Sequence, residues 1–194
     1  MSTQTILKAI ASRRTIYALK PELPTGVALS DVQSIVQAII KDTPTSFNSQ
    51  VNRAIILTGD AHKKVWGQVV DGIEGDAGKK RPQSAKDEAY GSIIFFTDDA
   101  TTEGLQAKFP AWSSAFPDFA NHSTGAAQIS TWTTLATINV FGHLQHFNGY
   151  IKAALGDAVP KTWTVHAQLV FGSKAGEPGE KTYIDNEVKV ISSL

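Results

Sequence analysis

Arg13, Arg14 and Thr15 form one run, Asn48 and Gln50 sit in a polar loop, and Lys181 follows a Gly-Glu-Pro-Gly stretch near the C-terminus. Guanidinium and ammonium groups neutralise phosphate oxygens, and carboxamides address the hydrogen-bonding edge of a planar ring. Brought together, these donors suit a phosphorylated, flat cofactor. Each also has an ordinary reading. Arg13 and Arg14 can be solvated cations closing a helix whose dipole favours them, and residues 44–53 can be a polar turn before a strand.

Other chemistries find little support. The chain has no Gly-rich phosphate loop followed by Lys-Ser/Thr, no dinucleotide glycine fingerprint, no His-Glu-x-x-His and no Gly-x-Ser-x-Gly elbow. His143 and His146 would share one side of a helix, but no nearby carboxylate completes a ligand set, so no metal is expected. A Ser/His/Asp hydrolase stays open by composition alone, without a local motif. Cysteine is absent, which removes disulfides and thiolate chemistry and suits a reducing compartment. Lys plus Arg and Asp plus Glu both number 18, so no global field points to nucleic acid. The first ten residues lack the apolar run of a signal peptide, and no segment has the apolar length to span a bilayer. The expectation is a soluble, cytoplasmic protein without nucleic-acid or membrane partners.

The elements that must position these donors can be read from periodicity. At 194 residues and 42% hydrophobic content the chain can form one sizeable core, and one domain over 1–194 is expected. Ser2 and Thr3 can cap a helix carrying Ile6, Leu7, Ile10 and Ala11. Pro21 and Pro24 bracket an extended linker, and Ser30-Asp31 starts a helix with Val32, Ile35, Val36, Ile39 and Ile40 on one face. Residues 54–57 read as a strand buried on both faces. Residues 62–70 read as a helix with Trp66 in the core, and 72–86, including Lys79-Lys80-Arg81-Pro82, as a mobile surface connection with a solvated basic run. Residues 90–97 carry the strongest strand signal and belong in the centre of the sheet.

After Asp98-Asp99 comes an aromatic segment with Phe109, Trp112, Phe116 and Phe119, broken by Pro110 and Pro117; its rings either cover a pocket or belong to the core. Residues 125–141 read as a deeply buried helix, apolar almost all round. Residues 147–155 form another helix. Trp163, Val165, Ala167, Leu169 and Phe171 alternate on one face of a strand, and 188–191 form a short strand candidate.

The runs Ser12-Arg13-Arg14-Thr15-Ile16-Tyr17, Pro44-Thr45-Ser46-Phe47-Asn48-Ser49-Gln50, Asp87-Glu88-Ala89-Tyr90-Gly91-Ser92 and Leu144-Gln145-His146-Phe147-Asn148 resemble the nitroreductase family of flavin enzymes. Within it, they are most similar to a fungal-type subgroup. The resemblance runs from about Ile6 to about Ile191. It implies an α+β sandwich with a mostly antiparallel sheet flanked by helices, built as an intertwined homodimer with two FMN sites at the interface and the C-terminal strand reaching onto the partner's sheet.

Under that resemblance Arg13, Arg14 and Thr15 match the contacts to phosphate and ribityl oxygens, Asn48 and Gln50 match amides near the isoalloxazine, and Lys181 matches a basic phosphate contact. Tyr17 falls in the same cofactor-binding run, at a position where many members carry Lys or Arg. Gly142 and His143 fall where the family has a Gly-rich turn against the flavin face, and Tyr183 occupies a common Arg position. The implied cycle is ping-pong: NAD(P)H reduces FMN, and a nitroaromatic or quinone-like small-molecule acceptor then enters the same slot. Phe47, Trp112 and Phe116 are the candidates for stacking on it, with core packing as the other reading. No side-chain nucleophile or acid is required. The altered His143 element leaves a second function open, a flavin-binding regulatory protein with little turnover.

Overall fold

The structure, a computed structural model, describes residues 2–193. Helix α1 (Thr3–Ser12) starts at Ser2, whose hydroxyl accepts from the Thr5 amide at 3.3 Å. None of its residues is buried, and Ile6, Leu7 and Ile10 remain about half exposed. The chain then passes through a two-residue strand β1 (Leu19–Lys20) to α2 (Leu29–Asp42), where Asp31 accepts from the Ala28 amide at 2.8 Å and Val32 and Val36 point into the core. After the polar loop come β2 (Asn52–Thr58), α3 (Gly59–Gly72), α4 (Asp76–Glu88), β3 (Gly91–Asp98), α5 (Asp99–Lys108), α6 (Phe116–Thr137), β4 (Phe141–Gln145), α7 (Asn148–Leu155) and β5 (Trp163–Lys174).

The named strands pair antiparallel in the order β1-β5-β3-β2, with β4 also on β5. Side chains of β3 alternate between two cores. Ile94 and Phe96 join Val65, Trp66, Val69, Ala85 and Ile151 from α3, α4 and α7 on one face. Ile93 and Phe95 join Val32, Val36 and Leu135 from α2 and α6 on the other. The expected α+β arrangement, an antiparallel sheet with helices on both faces, is the one observed.

Several local expectations are corrected. Residues 72–86 are no loose connection: 76–88 form α4, with Pro82 inside it and Pro82 and Ala85 buried. Only small residues make that contact, so the segment lacks the large apolar stripe by which a helix is normally recognised. Strand β2 is half-buried over most of its length, because among the described residues it pairs with β3 alone and is a sheet edge. Residues 99–108 form α5, and Pro117 opens α6 in its first turn, where a missing N–H costs nothing. That helix ends at Thr137, short of Phe141, and is not buried all round, with Ile129 44% exposed.

The alternation along β5 changes face at a bulge. Phe95 pairs with Ala167 but Phe96 with Val165, leaving His166 as the extra residue. Val165 therefore joins the α3 side while Ala167, Leu169 and Phe171 join the α6 side. Residues 188–191 are in no strand, and Val188, Val190 and Ile191 are largely exposed.

Candidate functional site

Two groups of candidate residues emerge, at different corners of the sheet. The first is built where the chain leaves α1. Thr15 forms a parallel bridge with Gly142, and the Ile16 amide donates to the Gly142 carbonyl at 3.0 Å. This brings Arg13, Arg14, Thr15 and Tyr17 alongside Gly142 and His143.

Gly142 and His143 do not form a turn. They lie inside β4, paired with Phe171 and Val170 of β5. The glycine is required by close approach: a Cβ there would collide with the Val170 carbonyl.

Arg13 stacks on Trp132 of α6, its guanidinium carbon 4.2 Å from the ring centre, while its Nε and Nη1 are buried without a hydrogen-bond partner. Burial, and then the neighbouring Arg14 charge, lower its pKa. Unpaired buried donors on a cation are costly, and an anion or acceptor beside this side chain would satisfy them. Arg14 donates from Nη2 to the Gly179 carbonyl at 2.5 Å, which ties the C-terminal segment to the arginine run. Lys181, two residues further on, is exposed, its Nζ 5.0 Å from the Tyr183 ring centre.

His143 is 1% exposed, and its Nδ1 has no partner. Its ring centre lies 5.2 Å from that of Tyr17. Burial, with the Arg81 charge as a second cause, pulls its pKa down to about 4, so the imidazole is neutral at pH 7. Arg81 comes from α4 and places its guanidinium carbon 4.1 Å from the centre of the Tyr17 ring. Sequence reading left Arg81 in a solvated basic run. No strong signal in the sequence marks it, because the inward residues of α4, Pro82 and Ala85, are too small to define a face.

The second group is the loop before β2. Phe47, Asn48 and Gln50 have φ of 54°, 50° and 51°, a left-handed run that only Asn among them tolerates readily. It is held by the Gln50 amide donating to Thr45 Oγ1 at 2.9 Å and the Asn48 amide donating to the Thr45 carbonyl at 3.0 Å. Phe47 stacks on Phe109 with ring centres 4.5 Å apart, and lies 5.6 Å from Trp112 and 5.8 Å from Phe116. Phe116 is buried at the base of this cluster, whereas Phe47 and Trp112 are 49% and 56% exposed. A cavity of ≈ 390 Å³ beside the loop is lined by Pro44, Thr45, Ser46, Phe119 and His122 among others. Asn48 and Gln50 are exposed.

The structure does not bring the two groups together within one chain. Gly142 is level with Phe171 and Gly91, and through β3 with Thr58. The loop enters β2 at Asn52, level with Thr97 at the far end of that strand. Three strand spacings and six residues of strand separate Gly142 from Asn52, roughly 25 Å along the sheet. Among the described residues no set of three or more His, Asp or Glu forms a metal site, and no helix is long and apolar enough to cross a membrane.

No protein-family model matches the chain. The Saccharomyces cerevisiae protein HBN1 is 62% identical to it over 188 residues, covering 97% of each chain, and nitroreductase FRM2 of the same organism is 54% identical over the same length and coverage. The crystal structure of a nitroreductase from Saccharomyces cerevisiae superposes with a TM-score of 0.86 at 55% identity, covering 90% of this chain and 98% of that one. Nitroreductase CinD from Lactococcus lactis gives a TM-score of 0.84 at 34% identity, covering 93% and 95%. With this identity along almost the whole length and the same fold beneath it, the chain belongs to the nitroreductase family of oxidoreductases.

Proposed function

We propose that this protein is an FMN-dependent oxidoreductase that uses NAD(P)H to reduce nitroaromatic or quinone-like acceptors by a ping-pong cycle, working as an intertwined homodimer. The observation that carries the reading is the separation of the two donor groups across the sheet. A site using both takes Arg13, Arg14, Thr15, Tyr17 and His143 from one protomer and the 44–50 loop from its partner.

The residues fit the cofactor. The buried, unpartnered Nε and Nη1 of Arg13 suit a phosphate, with Arg14 and Lys181 adding positive charge along the same segment. The unpartnered Nδ1 of His143 offers a hydrogen-bonding position, as a neutral ring. Asn48 and Gln50 supply amides for a ring edge, and the strained backbone presents them without further reorganisation. Bound FMN would carry hydride and electron transfer; the protein's part is to hold it, to leave one face open to a flat reactant and to shield it from water. Phe47 and Trp112 present exposed aromatic surface for that reactant.

Further support comes from surfaces one chain leaves uncovered. Strand β2 has a free edge beside a groove of ≈ 350 Å³ lined by α2 and residues 54–56. The C-terminal segment exposes Tyr183, Ile184, Val188, Val190 and Ile191. An unpaired edge and an alternating apolar tail suit strand exchange between copies. CinD is described in complex with 4-nitrophenol and with chloramphenicol, both nitroaromatic. A more distant neighbour of the same fold, from Desulfovibrio desulfuricans, is solved in complex with FMN.

The burial of His143 in a paired strand favours one second reading, a flavin-binding regulatory protein with little turnover. Stopped-flow mixing of the FMN-loaded protein with NADH or NADPH separates the two. Rapid reduction supports the enzyme; a flavin that stays oxidised supports the regulator.

A further inference from the structure

A cavity of ≈ 430 Å³ lies where the end of β3 and the start of β5 meet α5 and α6, a volume in the range of small-molecule sites. None of the residues lining it belongs to the arginine run, to β4 or to the 44–50 loop.

Its floor is polar and is built across neighbouring strands. The bulge in β5 re-aims His166, whose Nε2 lies 2.7 Å from Thr97 Oγ1 of β3. Asn52 of β2 stands directly opposite Thr97, so the two side chains share a face. Asn52 is 2% exposed; its Oδ1 accepts from Ser123 of α6 at 3.3 Å, and its Nδ2 has no partner. A buried donor left unpaired is costly, and an acceptor at the Thr97 end of the cavity would satisfy it.

The α5 side carries negative charge that the fold does not balance. Asp99 accepts from Thr164 Oγ1 at 2.7 Å, and Glu103 stands one helical turn further on. The helix dipole suits Asp99 in the first turn of α5, but Glu103 lies beyond that turn. Neither makes an ion pair among the described residues. The cations of β2 and α5 are engaged elsewhere: Arg53 pairs with Asp98 at 3.2 Å, and Lys108 rests against the Phe109 ring. Burial lowers the pKa of His166, with Asp99 opposing the shift, so the ring is neutral at pH 7 and leaves the carboxylates unanswered. Pro117 and Ala120 line the α6 side with apolar surface.

We propose that this cavity is a second ligand site that takes a small organic ammonium ion. Its charged end meets Asp99 and Glu103, its apolar body lies along Pro117 and Ala120, and a hydrogen-bond acceptor at its other end meets the row of Thr97 and Asn52. The site is independent of the flavin, because no residue assigned to the cofactor enters it.

Tyramine carries all three features and is the probe; 4-ethylphenol is its counterpart without the ammonium group. The full-length protein, with and without FMN, is titrated at pH 7 and followed by NMR, with the His166 ring resonance assigned by its loss in His166→Gln. Tyramine is expected to shift that resonance saturably, and 4-ethylphenol to bind about ten-fold more weakly. Glu103→Gln should weaken tyramine by a similar factor, and because Glu103 is exposed the variant keeps the fold, checked by an unchanged His62 resonance.

No shift of His166 with tyramine overturns the inference. Equal affinity for tyramine and 4-ethylphenol, or unchanged tyramine affinity in Glu103→Gln, leaves an apolar crevice and overturns it as well. A His166 shift with magnesium chloride and none with tyramine would make the cavity a metal site, against the proposal. Each result is read whether or not FMN binds, so failure here and failure of the flavin reading are told apart.

Discussion

The ring of Tyr17 lies 5.2 Å from the ring of His143, tilted by 37°, and closes off a histidine that is 1% exposed. That burial has a pH signature. A base whose folded pKa lies below its unfolded value binds fewer protons in the native state, so stability is full above the unfolded pKa and is lost as pH falls towards the folded one. For His143 the window runs from 6.5 down to about 4, a loss on the order of 3 kcal/mol if the site does not relax. His62 and His166 are lowered mainly by burial and act in the same direction. Urea unfolding between pH 7 and pH 4 should show stability falling with acid, and His143→Gln should flatten part of the slope.

A second buried histidine has all its hydrogen bonds assigned by its partners. Trp66 Nε1 donates to Ser92 Oγ at 2.7 Å, Ser92 Oγ donates to His62 Nδ1 at 2.9 Å, and His62 Nε2 donates to the Ala85 carbonyl at 2.8 Å. The chain of donors ties α3, α4 and β3 together and fixes a neutral tautomer for His62. Ser92→Ala orphans both Trp66 and His62 in the core and should cost about 2 to 4 kcal/mol. The loss is measured from the urea midpoint, and tryptophan fluorescence should report the altered Trp66 environment.

A site shared between two protomers, as proposed above, makes a complementation prediction. On the proposed site, Arg13→Ala would remove a charge-assisted contact to the phosphate and should weaken FMN binding by roughly 1.5 to 3 kcal/mol. A Gln50→Ala variant should weaken it by a smaller amount, through the other protomer. Unfolding and refolding the two variants together should yield mixed dimers in which one of two sites is intact, recovering high-affinity FMN binding that neither variant shows alone. If flavin titration finds no tight sites in the mixture, both residues belong to one protomer's site.

Much of this was legible in the sequence, and the exceptions share causes. The apolar run around Ile93 to Phe96 could only be a central strand, and the spacing in 29–42 and 59–72 carried large side chains at helical period. Helix α4 escaped because its core contacts are Pro82 and Ala85, too small to mark a face. The element at Gly142 read as a turn because glycine is ambiguous between freedom and close approach, and only its pairing with Phe171 decides for the latter. The face switch at His166 depends on a bulge set by the partner strand, which no pattern within β5 encodes. Arg13, Asn48 and Gln50 were singled out by residue type; that they stand at opposite corners is a property of strand order alone.

Flavin binding and turnover are both read from the visible absorption spectrum of the purified full-length protein, taken after incubation with FMN and removal of the unbound cofactor. An FMN-dependent oxidoreductase retains flavin bands that bleach when NADH or NADPH is added without oxygen and return with a nitroaromatic or quinone acceptor. A protein that remains colourless after exposure to FMN would contradict that expectation.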